Sequence, residues 1–266
     1  MPNKFSLLLT IYYKDDPRFL DICFRGIFRN TLLPDEIIVV KDGPLEKKLN
    51  QVVDKYINKF PKLFKTYQLK FNQGSAIAAN FGLSKANNDW VIKQDADDFS
   101  FRERYFELMR HTKDNVLFFG SLMYERYEKH QIVKKVPITN IDIKKNLNFR
   151  NPFNNPSMCL NTKLIKHFGG YPNIKFKEDW GLWIKAFKNS NCFNLDKVLL
   201  TTINNERMIE KRRGLFNIKS EYQIQKLLVK YNYNNFFSAT LIYLFRVCLL
   251  LLPTYLLKLT YKFFLR

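Results

Sequence analysis

Hydrophobic residues in the first hundred positions fall into two alternating patterns. Short, continuous apolar runs have the length of buried strands, and the segments between them repeat their apolar residues every three or four positions, as amphipathic helices do. Asp16 followed by Pro17 predicts the start of the first helix, because proline suits the first helical turn. This alternation predicts an α/β fold in which a mostly parallel central sheet carries helices on both faces. The predicted strands are residues 5–11, 36–40, 66–71 and 90–94, and the predicted helices begin at residues 17, 45 and 75.

Polar clusters follow three of the predicted strands. They are residues 10–13, Asp42 with Gly43, and residues 95–98. The carboxyl ends of parallel strands lie at one edge of a sheet, and ligands of such sheets bind at that edge. We therefore expect the three clusters to meet in one site.

Three carboxylates, those of Asp95, Asp97 and Asp98, follow the last of these strands directly. They repel one another unless a positive charge lies among them. A hydrated divalent cation held by Asp95 and Asp97, and bridging a diphosphate, would offset that repulsion. The alternative is a solvated turn. Ser100 and Glu103 form an S-x-x-E capping box that predicts a helix from residue 101 onwards, and this cap needs neither Asp95 nor Asp97.

The middle of the chain has a less regular pattern. No internal repeat or low-complexity linker interrupts it, so this part is expected to pack against the first hundred residues. The pattern predicts strands at 116–124, 131–136 and 157–161, a helix at 179–188, and loops at 151–156 and 169–172.

The last 45 residues have a different composition. Residues 222–266 contain no Asp or Glu and six Lys or Arg, and residues 236–257 carry Arg246 as their only charge. That stretch is long enough to cross a bilayer, but an arginine near its middle and Pro253 oppose a span. Basic residues then recur every four positions, which favours a helix lying in the headgroup region of anionic lipid. A true span and a buried core helix remain as alternatives.

Composition limits the classes of protein that fit. The chain has 266 residues, 46% of them apolar and 16% aromatic, which is ample for a folded core. Its net charge of +20 favours anionic partners: nucleic acid, nucleotide phosphates or an anionic membrane. Four scattered cysteines without a C-x-x-C pair suggest neither a zinc site nor a disulfide framework. With no signal-peptide pattern at the N-terminus, the cytoplasm is the expected location.

Several short segments occur in an order that resembles a known family. They are residues 6–12, 33–44, 72–74, 80–83 and 95–98. Together they resemble the family 2 glycosyltransferases with a GT-A fold, inverting enzymes that use nucleotide sugars, and in particular those of bacterial capsule, exopolysaccharide and lipopolysaccharide synthesis. The resemblance covers about residues 5–215. It implies a GT-A domain over 1–215, with a nucleotide-binding half at 1–98 and an acceptor half at 99–215, followed by a helical, basic and apolar membrane-associating segment at 216–266.

The resemblance implies a set of donor-binding residues. Thr10 and Tyr12 would contact the nucleoside, and Asp42 would hydrogen-bond the base. Asp97 would lie nearest to an Mn²⁺ or Mg²⁺ ion, with Asp95 sharing the ion and holding sugar or ribose hydroxyls. From the residues alone, an ordinary half-buried tyrosine and a turn-forming Asp before glycine explain Tyr12 and Asp42 equally well.

The resemblance also implies the catalytic and acceptor residues. Asp179 would be the base that deprotonates the acceptor, and Glu178 would position the acceptor or exchange that role. Asn155, which replaces a frequent histidine of the family, and Trp180 would contact the acceptor. An acidic pair in the first turn of a helix also complements the helix dipole, which is the alternative explanation for Glu178 and Asp179.

Two features concern positive charge near the donor. Arg212 or Arg213 would fold over the diphosphate, although a membrane-facing basic cluster explains these residues equally well. Members of the family often carry an arginine just before Asn80, and residues 74–79 contain none. Another residue must supply a positive charge at that place.

The expected activity is transfer of a hexose or N-acetylhexosamine from a UDP-sugar to a lipid-linked or growing surface glycan. The enzyme would be metal-dependent, inverting, and peripheral on the cytoplasmic face of the inner membrane. A basic nucleic-acid-binding protein is one alternative, but zinc-finger, RRM and helix-turn-helix signatures are missing. A metal-dependent nucleotidyltransferase is another, but residues 12–15 are not the glycine-rich loop that it would need.

Overall fold

The computed structural model describes residues 4–127, 130–203 and 215–252. The described strands are β1 (Phe5–Ile11), β2 (Glu36–Lys41), β3 (Phe64–Gln68), β4 (Trp90–Asp95), β5 (Asp98–Ser100), β6 (Phe118–Arg126), β7 (Gln131–Lys134), β8 (Cys159–Asn161) and β9 (Asn194–Ile203). The described α-helices are α1 (Pro17–Phe28), α2 (Lys47–Lys59), α3 (Ser75–Ser84), α4 (Arg104–Met109), α5 (Asn140–Leu147), α6 (Lys163–Phe168), α7 (Glu178–Ala186), α8 (Leu215–Lys230) and α9 (Phe236–Leu251).

These strands form one curled sheet in the order β3-β2-β1-β4-β8-β6-β9-β5, with β7 beside β6. The first four are parallel, as the strand-helix alternation predicts. The other half is mixed: β8 is antiparallel to β4 and β6, whereas β6 and β9 are parallel. β5 follows β4 after two residues yet pairs with β9 at the far end of the order. Two strands that are consecutive in the chain are therefore separated in the strand order, with Asp95 at the end of one and Asp98 at the start of the other.

Side chains of alternate residues in each strand pack into two cores, one on each face of the sheet. Leu7 and Leu9 of β1 pack with Phe24 of α1 on one face. Leu8 points to the other face and packs into the core that contains Trp183 of α7. Helices therefore cover both faces, as expected for this fold class.

The predicted capping box at Ser100 and Glu103 is wrong. Helix α4 begins at Arg104, three residues later than predicted, and Ser100 belongs to β5, where it pairs with Leu200. The Ser100 hydroxyl is buried and donates to Oε1 of Gln94 at 2.8 Å. The side chain thus joins β5 to β4 and does not cap a helix.

The Arg104 guanidinium, which is 0% exposed, fixes the end of β4. Its Nη1 donates to Oε1 of Gln94 at 2.8 Å and to Oγ of Ser100 at 2.9 Å. Its Nη2 donates to the carbonyl oxygens of Lys93 and Pro156, both at 2.7 Å. One side chain therefore joins the sheet to the loop that contains Pro156.

Helices α8 and α9 pack together after the sheet. α9 begins after Asn235, whose side chain accepts a hydrogen bond from the backbone N–H of Ser238 at 2.8 Å. Arg246, the charge within the apolar stretch, faces Glu221 of α8. No described helix has both the length and the apolar character needed to cross a membrane. Large apolar side chains of α9 are exposed: Phe236, Phe237, Leu241, Leu244, Phe245 and Leu251.

Replacing Arg104 with methionine should destabilise the fold by about 3 kcal/mol or more, because four hydrogen bonds of a buried guanidinium are lost and the carbonyl oxygens of Lys93 and Pro156 lose this donor. Urea unfolding of Arg104→Met against wild type measures this. Arg102→Met, which removes the same charge from an exposed position two residues away, is the control and should change stability by less than about 0.5 kcal/mol. Equal stability of the two variants would contradict the role of Arg104.

Candidate active site

The strand ends predicted to form one site do meet at one edge of the sheet. Thr10 of β1 is in register with Val40 of β2 and with Asp95 of β4. Asp42 follows β2, and its backbone N–H donates to the carbonyl oxygen of Ile11 at 2.7 Å. This edge therefore brings together residues from three separate segments of the sequence.

A cavity of about 130 Å³ opens at this edge. The strands form one wall, and α3 and the start of α7 form the other. Pockets that enclose drug-sized ligands measure roughly 300–1,000 Å³, so this one suits a single sugar ring or a phosphate group. Eight residues line it: four expected site residues (Thr10, Asp95, Asn155 and Glu178) and four that were not expected (Ser75, Ala79, Lys93 and Tyr171).

Lys93 is a charged residue of the cavity that was not among the expected site residues. Its side chain lines the cavity, is nearly buried, and places the ammonium against the Asp95 carboxylate. Burial opposes the charge, but the carboxylates of Asp95, Asp98 and Glu178 raise the pKa of Lys93 above its usual value. Ala79 lines the same cavity, in the segment where the family resemblance implies an arginine. Lys93 is thus positioned to supply the positive charge that this segment lacks.

The sequence did contain a signal for Lys93. A lysine interrupts the otherwise apolar start of β4, and a buried lysine needs an ionic partner. Asp95 lies two residues further along the strand, so its side chain leaves the same face of the sheet. A charge inside a predicted buried strand, followed at i+2 by the opposite charge, indicates such a pair.

The three carboxylates after β4 have different surroundings. Asp97 is exposed, Asp95 is partly exposed, and Asp98 is buried in β5. Burial, with the charges of Asp95 and Asp97 nearby, raises the pKa of Asp98 well above its usual range. Only Asp95 and Asp97, the pair expected to hold a metal ion, are therefore accessible to a ligand.

The oxygens of Asp95 and Asp97 suit a hard divalent cation that also binds a phosphate. Mg²⁺ is usually held in proteins by one or two carboxylates, with substrate phosphates and water completing its coordination, and Mn²⁺ takes similar ligands. Among the described residues, no group of three or more His, Cys, Asp or Glu side chains is arranged to hold a metal ion.

Two acidic residues begin helix α7; Glu178 lines the opposite wall of the cavity, whereas Asp179 is not among its lining residues. Oε1 of Glu178 accepts a hydrogen bond from the Ser75 hydroxyl at 2.5 Å. Oδ2 of Asp179 accepts from the Asn151 side-chain amide at 2.6 Å, a contact that the sequence did not indicate. Burial, together with the neighbouring Glu178 carboxylate, raises the pKa of Asp179 to about 6. A carboxylate that titrates near neutral pH is suited to accept a proton in catalysis.

Asp42 is hydrogen-bonded mainly to the loop before α3. It is 4% exposed and accepts from the side chain of Asn72 at 3.0 Å and from the backbone N–H groups of Gln73 and Gly74 at 2.7 and 2.9 Å. A carboxylate can accept about four hydrogen bonds, so most of this capacity is used within the protein. The expected contact with a nucleobase stays a prediction.

Tyr12 lies beside the carboxylates as expected. Burial and the negative charges of Asp15 and Asp97 raise its pKa above the usual value. Its ring is partly buried at the end of β1, next to that of Tyr13, with 5.8 Å between the ring centroids. The other expected donor contacts, Arg212 and Arg213, lie outside the described residues.

The expected acceptor contact at Trp180 is contradicted by its burial. The side chain is 3% exposed, and the indole N–H donates to the carbonyl oxygen of Leu147 at 2.9 Å. An aromatic residue one position after an acidic pair lies on a different face of the helix, and here that face packs into the core. Trp180 therefore packs α7 against the core and offers no surface to an acceptor.

The comparisons with known proteins agree with this architecture. The family model described as glycosyl transferase family 2 matches residues 6–168. The Escherichia coli UDP-Gal:alpha-D-GlcNAc-diphosphoundecaprenol beta-1,3-galactosyltransferase is 34% identical, over 94% of this chain and 92% of its own. The amylovoran biosynthesis glycosyltransferase AmsE of Erwinia amylovora is 29% identical, over 97% and 98% of the two chains.

A solved structure shows the same fold. S. aureus TarS 1–349 in complex with UDP-GlcNAc superposes with a TM-score of 0.68 at 19% sequence identity. The match covers 85% of this chain and 66% of the TarS fragment. The predicted GT-A fold is therefore confirmed. Because the family model matches more than half of the chain, and the E. coli relative nearly all of it, the chain belongs to glycosyl transferase family 2.

Proposed function

We propose that this glycosyltransferase is a metal-dependent inverting enzyme that transfers a hexose or N-acetylhexosamine from UDP to a lipid-linked or growing surface glycan. The cavity at the sheet edge supports this proposal, because Asp95 and Lys93 of β4 lie across it from Glu178. A single displacement requires the donor on one side of the reacting carbon and a base on the other. The residues of β4 (the donor wall) and the acidic start of α7 (the acidic wall) provide these two sides. Family membership argues against nucleic-acid binding or nucleotidyl transfer as the primary activity.

The proposed donor site lies along the ends of β1, β2 and β4. Thr10 and Tyr12 contact the nucleoside, Asp42 accepts from the base, and Asp95 holds sugar or ribose hydroxyls. Lys93 balances the negative charge of the bound diphosphate. The E. coli relative is named for UDP-Gal and the TarS structure contains UDP-GlcNAc, which favours a UDP-sugar here. Arg212 and Arg213 are proposed to close over the diphosphate.

A divalent cation is part of the proposed donor complex. Asp97 and Asp95 would hold it, and a GT-A neighbour of 15% identity was solved with GDP-Man and Mn²⁺. When bound, Mn²⁺ or Mg²⁺ neutralises charge on the diphosphate and makes UDP a better leaving group.

The proposed catalytic step is one in-line displacement. Asp179 takes the proton of the acceptor hydroxyl as the acceptor oxygen attacks the anomeric carbon from the face opposite UDP. The bond from that carbon to the diphosphate oxygen breaks, UDP leaves with the electron pair, and the configuration inverts. Glu178, held by Ser75, positions the acceptor hydroxyl, and Asn155 contacts the acceptor from the neighbouring loop.

We propose a peripheral position on the cytoplasmic face of the inner membrane. The E. coli relative is named for a diphosphoundecaprenol-linked acceptor, a lipid. Helix α9 exposes apolar side chains at positions 237, 241, 244 and 251, which recur at helical spacing along one face. The net charge of +20 complements anionic lipid. An apolar helix face beside basic residues suits an interface between lipid and water.

A screen of purified protein with Mn²⁺ and a panel of nucleotide sugars tests the activity. UDP release should appear with one UDP-sugar and fall at least about 100-fold in Asp97→Ala, because the cation loses a charged ligand. Asp89→Ala removes an exposed carboxylate at the other end of β4 and should change nothing. Folded wild type without metal-dependent affinity for any sugar nucleotide in calorimetry would refute the proposal.

Asp179→Asn should retain donor binding and lose about 10²–10⁴-fold in kcat, because the amide cannot accept the proton. In wild type, kcat/KM should fall as the pH drops through about 6, since the base must be deprotonated and its pKa is about 6. Asp142→Asn is the matched control, because Asp142 also lies in the first turn of a helix and tests the dipole explanation. Unchanged turnover in Asp179→Asn would remove this residue from the role of base.

Lys93→Met should weaken binding of the UDP-sugar about tenfold or more, since the cavity keeps its carboxylates and loses its ammonium. The kcat/KM midpoint should also move to higher pH, because the charge of Lys93 lowers the pKa of Asp179. Lys93→Arg keeps the charge, and Lys85→Met removes an exposed lysine after α3; both should stay close to wild type. Calorimetry and pH profiles measure the two effects. Wild-type affinity in Lys93→Met would contradict the assignment.

A further inference from the structure

Arg246 is the only charge in the apolar helix α9, and its side chain points into the protein. Nε of Arg246 lies 3.2 Å from Oε1 of Glu221 on α8, and the guanidinium is mostly shielded from solvent. A charged side chain in a helix with an exposed apolar face is retained most easily where it has an ionic partner. The other contacts of Glu221 therefore show what Arg246 is connected to.

Glu221 is buried between two cations. Its carboxylate contacts the Arg246 guanidinium on one side and the Lys177 ammonium on the other, and Nε2 of Gln225 donates to Oε1 at 3.0 Å. Burial opposes ionisation, but Lys177 and Arg246 lower the pKa of Glu221 below its usual value. Lys177, Glu221 and Arg246, here called the ionic cluster, join α8 and α9 to the residue that precedes α7. Removing Glu221 would leave two cations without a counter-charge, whereas removing Arg246 would leave Glu221 paired with Lys177 alone.

The ionic cluster lies next to the acidic pair at the start of α7. Lys177 is the residue before Glu178, and its carbonyl oxygen accepts from the backbone N–H of Gly181 at 3.0 Å, within the first turn of α7. The Trp180 ring lies close to both cations, 5.3 Å from the Lys177 ammonium and 5.1 Å from the Arg246 guanidinium. The side chains of Lys177 and Trp180, at the start of α7, are therefore both in contact with the ionic cluster and, through it, with α8 and α9.

The cluster carries an excess of positive charge, because two cations share one carboxylate. Lys177 is near enough to Asp179 for the two charges to interact. A positive charge near a carboxylate favours its ionised form, so the cluster acts on both the position and the charge of the base. Helix α9 is tied to this arrangement through Arg246, while its opposite face is exposed.

We infer that Arg246 and Glu221 are positioning residues for the acidic pair, so that α9 is part of the active site as well as the proposed lipid-binding surface. The inference rests on the proposed function for its readout. A detachable membrane tail would affect location and leave catalysis unchanged. A helix coupled through the ionic cluster affects turnover even without a membrane.

The test uses the full chain without lipid and follows UDP-sugar turnover in Arg246→Met. We expect kcat to fall about tenfold or more with donor KM within about threefold of wild type, since the donor wall is untouched. The acidic midpoint of the pH profile should move to higher pH, because the cluster loses a positive charge. Donor-binding stoichiometry from calorimetry corrects kcat for any unfolded fraction. Lys226→Met, an exposed lysine on α8, is the matched control for charge.

A second pair of variants decides the matter if Arg246→Met does not fold. Arg246→Lys keeps the charge and should restore most of kcat, whereas Arg246→Gln keeps only a hydrogen bond to Glu221 and should not. Equal kcat and pH midpoint in these two, or wild-type values in folded Arg246→Met, would overturn the inference.

A further experiment with lipid vesicles distinguishes coupling of α9 to the acidic pair from simple attachment of the protein to lipid. Phosphatidylglycerol vesicles should raise kcat of wild type and leave that of Arg246→Met unchanged, while both proteins sediment with the vesicles. Equal stimulation of both would overturn the coupling. The proposed function fails in a different way: wild type would then turn over no sugar nucleotide under any of these conditions.

Discussion

The active site depends on a charge balance at the end of β4, where one buried ammonium lies among carboxylates. Asp95, Asp98 and Glu178 all act on Lys93, and Lys93 in turn acts on Asp179. Clustered carboxylates in a poorly solvated site raise one another's pKa, so without an internal cation fewer of them would be ionised near neutral pH. Ionised groups are what both proposed tasks need: the metal-binding pair must be negative, and the base must be able to accept a proton. Lys93 thus connects the donor wall to the acidic wall.

The backbone holds this lysine in place. Its N–H donates to the carbonyl oxygen of Met158 at 3.0 Å, and its own carbonyl oxygen accepts from Arg104. Arg104 also bonds to the carbonyl oxygen of Pro156, next to Asn155 in the cavity. The hydrogen bonds that fix the cation therefore also fix the acceptor-side loop. A shift of β4 would move Lys93 and Asn155 together, because close-packed interiors transmit displacement.

Local sequence patterns predicted much of the first half and of the site, and failed where distant partners decide. The N-cap at Asp16 is confirmed by a hydrogen bond from the Arg18 backbone N–H at 2.8 Å, since a cap involves only adjacent residues. Ser100 satisfied the same kind of local rule and yet forms a strand, because β9, a hundred residues later, pairs with it. Lys93 is an intermediate case: the opposite charge of Asp95 at i+2 indicates its ion pair locally, but its proximity to Glu178 and Asp179 follows only from the fold. Trp180 was assigned by its neighbours in sequence, but its side chain packs on the buried face of α7.

The position of Arg246 also bears on how α9 would meet a membrane. Mean hydropathy averages over all residues of the segment. The helix, however, has an inner face that carries Arg246 and an outer face of exposed apolar residues. Lying at the interface buries the outer face in lipid and keeps the ion pair with Glu221. Spanning the bilayer would break this pair and place the arginine in hydrocarbon, at a cost of about 2.5–3.5 kcal/mol or more. The free energy gained by burying the inner face in lipid would have to exceed that cost. The ion pair therefore favours attachment along the surface, in the orientation that leaves α7 and its acidic pair in place.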